Sequence, residues 1–202
     1  MYKLDDLVDY LVNSGYLRSE KIIKAFLRVD RANFVKNKNH AYNNIPLKIG
    51  EGQTISQPAT VAFMIELLSP RADQTVLDIG SGSGWTTALL AQIIGKRGRA
   101  IGLEIRKNLV KTGQKNLAKY NFSWAKIQIA QKYALGIPGK TFDRILVSAS
   151  AETFPEELKL QLKKNGILVM PIKNSIFKVK KFSEKKFKIE EYPGFIFVPL
   201  IW

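Results

Sequence analysis

Hydrophobic positions recur along this chain with two different periods, and their alternation predicts its architecture. Leu4, Leu7, Val8 and Leu11 fall on one helical face, and Ser14-Gly15 ends that helix. Ser19 stands where an N-cap belongs for a second helix, whose apolar stripe is Ile22, Ile23, Phe26 and Val29. Residues 33–44 show no period, are rich in Asn and Lys, and read as a surface loop. Pro58 opens a third helix continued by Val61, Ile65 and Leu68. Proline fits a first turn because the N–H it lacks would have had no partner there.

From Val76 onward short apolar runs alternate with helical stretches. Strands are expected at 76–79, 100–105, 125–129, 145–147 and 166–172. Helices are expected at 86–91, ending at Gly95, at 108–120, and from Phe154-Pro155-Glu156-Glu157 with Leu158 and Leu162 on the inner face. Gly136 to Gly139 is a turn. This order predicts an α/β fold, Rossmann-like, with a mostly parallel sheet flanked by helices. After Lys173 the pattern becomes Phe177, Val179, Phe182, Phe187 and Ile189 among many lysines, with a hairpin turn at Ser183-Glu184-Lys185. Residues 194–200 are apolar and β-like. One domain over residues 1–202 is therefore expected: N-terminal helices and a loop at 1–70, a core at 71–172, and antiparallel C-terminal strands at 173–202.

Composition narrows the chemistry. The absence of cysteine excludes disulfides, thiolate metal sites and a cysteine nucleophile. His40 is the one histidine, so no histidine metal cluster is expected, and a serine–histidine triad would have to use it as base. No apolar run is long enough to span a bilayer, and the charged start MYKLDDLVDYLVNSGYL is unlike a secretion signal. A soluble, cytoplasmic protein with no metal and no membrane partner is the expectation. Lys and Arg number 32 against 17 Asp and Glu, for a net charge of +15. Such a field attracts anions of any kind, and a solvated lysine-rich surface is the plainer reading. The lysines of the tail are read first as guards of an exposed edge strand, with a strip for polyanions as the alternative.

The densest signal is VLDIGSGSGW at 76–85. A strand ending in Asp78 runs into Gly80, Ser81, Gly82, Ser83 and Gly84, then a helix, which is the first turn of a nucleotide-binding unit. Glycine tolerates positive φ and lets a ligand approach the main chain. Glu104 ends the next strand about twenty residues on, where a carboxylate accepts hydrogen bonds from ribose hydroxyls. The spacing GxGxG, in place of GxGxxG, points away from a pyrophosphate and toward S-adenosylmethionine. A second stretch, PLKIGEGQTISQP at 46–58, puts Ser56 at or beside a helix start. Its hydroxyl either holds an anion there or simply caps the helix, and local sequence alone favours the cap.

With both stretches in view the sequence resembles the protein-L-isoaspartate O-methyltransferases over residues 31–200. The matches are AY at 41–42, the 46–58 and 76–85 stretches, GLEI at 102–105, FDRILVSA at 142–149, QLKKNGILVMPI at 161–172 and FVPL at 197–200. GQTISQP at 52–58 is the most specific of them. The resemblance implies a class I methyltransferase fold and methyl transfer from S-adenosylmethionine to the α-carboxylate of L-isoaspartyl residues in damaged proteins or peptides. It implies Ser56 as the active-site residue and Thr54, Ile55, the glycine turn, Glu104 and Ile105 as cofactor contacts. Two departures stand out. A Gly-Asp pair near the adenine amino group is replaced by Gln131 and Lys132, and a lysine cannot accept that hydrogen bond. An Asp two residues after the AY tyrosine is Asn44.

Three other functions remain open at this level. Relatives that methylate aspartate side chains of ribosomally made peptides, leading to aspartimide, would share the motifs. A nucleic-acid methyltransferase is suggested by the charge. However, the place of an Asn/Asp-Pro-Pro-aromatic box reads Val147-Ser148-Ala149-Ser150-Ala151, so nucleic acid is not expected as a partner. A cofactor-free binding protein rests on Gln131 and Lys132. A monomer is expected.

Overall fold

The computed structural model describes residues 3–202. Its centre is a seven-stranded sheet of order β5-β4-β3-β6-β7-β8-β9. Strands β3 (Thr75–Ile79), β4 (Arg99–Glu104), β5 (Ala125–Ile129), β6 (Phe142–Val147) and β7 (Leu162–Ile172) run parallel. Strands β8 (Ser175–Ser183) and β9 (Lys186–Pro193) extend it antiparallel, as the change of pattern after Lys173 requires. The order reverses at β3, which has β4 on one side and β6 on the other. Such a switch point opens a crevice at the carboxyl ends of the strands.

Helices α3 (Pro58–Leu68), α4 (Trp85–Ile94) and α5 (Lys107–Leu117) cover one face. Helices α3 and α4 bury residues nearly all round, because α1 (Leu4–Asn13) and α2 (Glu20–Arg28) pack outside them. The other face is covered by Leu135, by α6 (Glu156–Leu160) through Leu158, and by Phe187 of β9. No helix among the described residues is long and apolar enough to cross a membrane.

Four local expectations are corrected. Ser19 occupies the N-cap of α2, but its hydroxyl goes to Glu66 of α3 at 2.6 Å and locks the two helices together. Leu162 belongs to β7 and not to the preceding helix, which ends two residues earlier at Leu160, where Gln161 leaves it to bond Ile137 and Leu135. Residues 194–200 form no full strand; they run beside 150–151, with Ser150 N–H donating to Val198 O and Leu200 N–H to Ser150 O. The 46–58 stretch, where no strand is expected from the sequence, is a two-stranded antiparallel ribbon of β1 (Leu47–Gly50) and β2 (Gln53–Ile55). Its tip is made by Gly50, Glu51 and Gly52, all at positive φ.

Candidate active site

The end of β3 feeds the glycine turn, which the backbone of β4 pins in place. Gly80 and Ser81 N–H both donate to Leu103 O, at 2.9 and 3.0 Å. Gly82 N–H donates to Glu104 Oε2 at 3.0 Å, and Arg106 N–H donates to Oε1 of the same carboxylate at 2.9 Å. Each oxygen keeps a further lone pair for a ligand hydroxyl. Glycine is demanded at two positions of the turn. At Gly84 a Cβ would meet Ile127 Cδ1 at 2.7 Å, where the start of α4 abuts Gly113 of α5. At Gly82 it would meet Ile49 Cδ1 at 3.0 Å, beneath the β1–β2 ribbon.

Beside this turn lie three adjoining chambers. The first lies between the ribbon residues Ile49, Gln53 and Thr54, the turn at Gly80 and Gly82, and Glu104-Ile105-Arg106, with Ala130 at one side. The second is lined by Ile55, Ser56, Ser81, Ser83, Trp85 and Thr86. The third is walled by Pro46, Ser56, Gln57, Thr60 and Phe197. Thr54 and Ser148 line all three, and Ser56 lines the second and third. The second and third contain no charged side chain; Glu104 and Arg106 confine charge to the first.

Most of the expected residues converge here, and four stand apart. Asp78 lies beneath the turn, fully buried, with Oδ2 accepting from Thr86 Oγ1 at 2.7 Å and Thr87 Oγ1 at 2.6 Å. Oδ1 has no partner. Burial pushes the carboxyl up to about 6, the two hydroxyls pulling the other way and the nearby Glu104 adding a little. Asp78 therefore shapes the start of α4 and does not line a chamber. Gly84 is spent on the α4–α5 contact. Gln131 and Lys132 are exposed, outside the chambers, and the Lys132 ammonium sits 4.8 Å over the Tyr133 ring. Ala130 takes the place in the wall.

Ser56 does not cap α3. The N-cap is Gln57, Pro58 is the first helical residue, and Ala59 N–H is bonded by Asn44 Oδ1 at 2.9 Å. Asn44, the departure noted above, is thus the capping side chain, a task its oxygen performs as an Asp oxygen would. The Ser56 hydroxyl is left for the chambers.

Sequence reasoning missed Arg31. It has no solvent exposure, and its guanidinium donates to the carbonyls of Ala41 at 2.7 Å, Ile45 at 2.9 Å and Ser56 at 3.1 Å, with a longer contact to Asn43. It also lies 5.3 Å over the ring of Trp85, whose Nε1 donates to Val29 O. No carboxylate faces it, and desolvation lowers its pKa to about 10. A cation held by backbone carbonyls has no partner in the sequence to announce it.

S-Adenosylmethionine fits this arrangement on two observations of the chain itself. Each Glu104 oxygen accepts a single backbone N–H and keeps a lone pair for a hydroxyl, and the buried Ser81 Oγ of the turn lacks a hydrogen-bond partner.

A sheet that reverses at β3, with the glycine turn there and a carboxylate closing the neighbouring strand, is the frame of the class I S-adenosylmethionine-dependent methyltransferases. The Plasmodium falciparum PCMT crystal structure in complex with S-adenosyl-L-homocysteine superposes with a TM-score of 0.88 at 26% identity, covering 99% of both chains. Within that class the chain belongs to the protein-L-isoaspartate(D-aspartate) O-methyltransferase (PCMT) family, whose model matches residues 2–202. It is 37% identical over 202 residues to the protein-L-isoaspartate O-methyltransferase of Methanopyrus kandleri, covering 96% of this chain and 89% of that one. It is 39% identical to that of Thermococcus onnurineus, with 96% and 91% covered.

Proposed function

We propose that this enzyme transfers a methyl group from S-adenosylmethionine to the α-carboxylate of L-isoaspartyl residues in proteins and peptides. One observation carries the assignment to this site: Ser56 is a common wall of the chamber beside the glycine turn and of the outer chamber behind Phe197. Thr54 and Ser148 share that wall with it.

Bound in the first two chambers, S-adenosylmethionine supplies an electrophilic methyl on a sulfonium. Glu104 would hold its ribose hydroxyls, and the turn from Gly80 to Ser83 would pass under it with Thr54 and Ile55 opposite. The acceptor carboxylate is ionised near pH 7, so no general base is required. The second and third chambers offer hydroxyls and apolar walls without a base or cation of their own. The Ser56 hydroxyl donates a hydrogen bond that orients one carboxylate oxygen and leaves the other free to attack. A carboxylate and a sulfonium neutralise each other as the bond forms, and an uncharged, weakly solvating chamber favours that change. Holding both in line is where most of the acceleration arises, up to roughly 7–11 kcal/mol in favourable intramolecular cases.

The deciding assay is methyl transfer to an isoaspartyl peptide beside its normal aspartyl isomer. Transfer to the isoaspartyl form alone supports the assignment. Preference for the aspartyl form would replace it with peptide tailoring.

A further inference from the structure

The methyl-transfer chambers use the carboxyl ends of the strands and contain one glutamate and one arginine, so the net charge of +15 has no role there. At the opposite, amino ends of β3 to β7, cations gather. Arg99 begins β4 in register with Thr75 of β3, and Lys126 is the second residue of β5. Lys96 and Arg97 precede Arg99 in the turn from α4. These four cations line one open groove with Ser123 and Trp124, and no carboxylate lines it. Two acids stand along this edge, and each is already engaged: Asp73 by Arg97 and Asp143 by Lys163, both at 2.8 Å. Lys96, Arg99 and Lys126 have no ion-pair partner among the described residues. Exposed Arg71 and Lys164 continue the row toward β7. Five strand ends at about 4.8 Å spacing make this cationic edge about 19 Å long.

The groove has an aromatic side as well. Through Ser123, Ala125 and Lys126 it continues into a second groove walled by Phe122, Asn121 and Gln114. Phe122 and Trp124, ring centroids 5.1 Å apart, sit at the junction and are only partly buried. Aligned unpaired cations beside partly open aromatic rings are the chemistry that holds a phosphodiester backbone and stacks its bases.

We propose that this groove binds single-stranded nucleic acid, at the opposite end of the sheet from the methyl-transfer chambers. From the sequence, nucleic acid is not expected as a partner, and a polyanion strip is offered only in the tail, as the alternative; here nucleic acid is a docking partner at a different edge, one that leaves the chambers open. The inference goes beyond the isoaspartyl assignment and does not rest on it.

The test is fluorescence anisotropy with a fluorescein-labelled 20-nucleotide oligo(U) RNA, titrated at several salt concentrations. Three proteins are compared: wild type, the groove variant Lys96→Glu/Arg99→Glu/Lys126→Glu, and the control Lys21→Glu/Lys185→Glu/Lys186→Glu. The two variants carry the same net charge. The control sites are exposed and lie on α2 and the β8–β9 turn. The expectation is a loss of at least about tenfold for the groove variant, a salt slope lower by about 2, and near-wild-type binding by the control. Equal losses in both variants would assign the effect to net charge and overturn the site. So would wild-type protein that fails to bind at about 0.1 M salt, or that binds heparin but not RNA. Both variants should methylate an isoaspartyl peptide at the wild-type rate, which establishes that they are folded and keeps this result separate from the test of the chambers.

Discussion

The Arg31 guanidinium donates to the Ser56 carbonyl at 3.1 Å, so a side chain hidden from solvent sets where the serine proposed for the acceptor site stands. The same guanidinium holds the carbonyls of Ala41 and Ile45 and covers the Trp85 ring at the start of α4. It joins the 41–56 segment to the helix that follows the glycine turn. Lysine keeps the charge but cannot reach three carbonyls from one planar fork. Arg31→Lys should therefore lower kcat/KM for an isoaspartyl peptide by about 10- to 100-fold, since each lost charged hydrogen bond is worth roughly 1.5–3 kcal/mol. The affinity for S-adenosylhomocysteine should change less than about threefold. Equal losses in both would mean that Arg31 supports the whole fold and does not position Ser56 in particular.

Ser56→Ala isolates the hydroxyl from that backbone. Its oxygen makes no cap to α3, so its removal leaves the helix intact. Turnover of an isoaspartyl peptide should fall by about 10- to 100-fold, the worth of one well-placed hydrogen bond to a charged group. Calorimetric binding of S-adenosylhomocysteine should be unchanged, as should the melting temperature. Wild-type turnover would remove Ser56 from the mechanism.

Glu104 ties the glycine turn to Arg106, and the proposed function gives it the ribose as well, which Glu104→Gln tests. Both carboxylate oxygens accept backbone N–H groups, from Gly82 and from Arg106. A glutamine turns one acceptor into a donor, which must face an N–H or the ligand hydroxyl. The expected outcome is about 10- to 100-fold weaker binding of S-adenosylhomocysteine by calorimetry, with peptide KM little altered. Equal affinity in variant and wild type contradicts the assignment of the ribose to this carboxylate.

The parallel sheet, the helices and the antiparallel tail were legible because burial on both faces leaves near-continuous apolar runs such as 76–79 and 145–147. The glycine turn was legible because only glycine meets its φ angles and close contacts. What escaped was decided across the chain. The β1–β2 ribbon is three to four residues per strand, too short for a period to show. Ser19 bonds a residue 47 positions away, and Arg31 answers to carbonyls spread from Ala41 to Ser56. Asn44, conspicuous as a departure, proves to be a cap for a helix fifteen residues on. Asp78 stands at the expected strand end, yet its side chain is buried and engaged by Thr86 and Thr87.

That burial makes Asp78 a source of pH dependence. Folded, its carboxyl keeps a proton up to about pH 6, against a reference value of 3.8 for the unfolded chain. Between those values the folded state binds more protons, so stability falls as pH rises through the window. The contribution is fully present below about pH 4 and is lost above about pH 6. A rise from 3.8 to about 6 corresponds to on the order of 3 kcal/mol. Asp78→Asn retains an oxygen for Thr86 and Thr87 and carries no charge to desolvate. In the ligand-free protein its melting temperature should therefore gain on wild type as pH goes from 4 to 8, by several degrees at this chain length. Thermal melts by circular dichroism across that range read the difference directly. Melting curves that shift in parallel, with a constant gap at every pH, would show that Asp78 is already ionised in the folded protein and that the two threonine hydroxyls outweigh its burial.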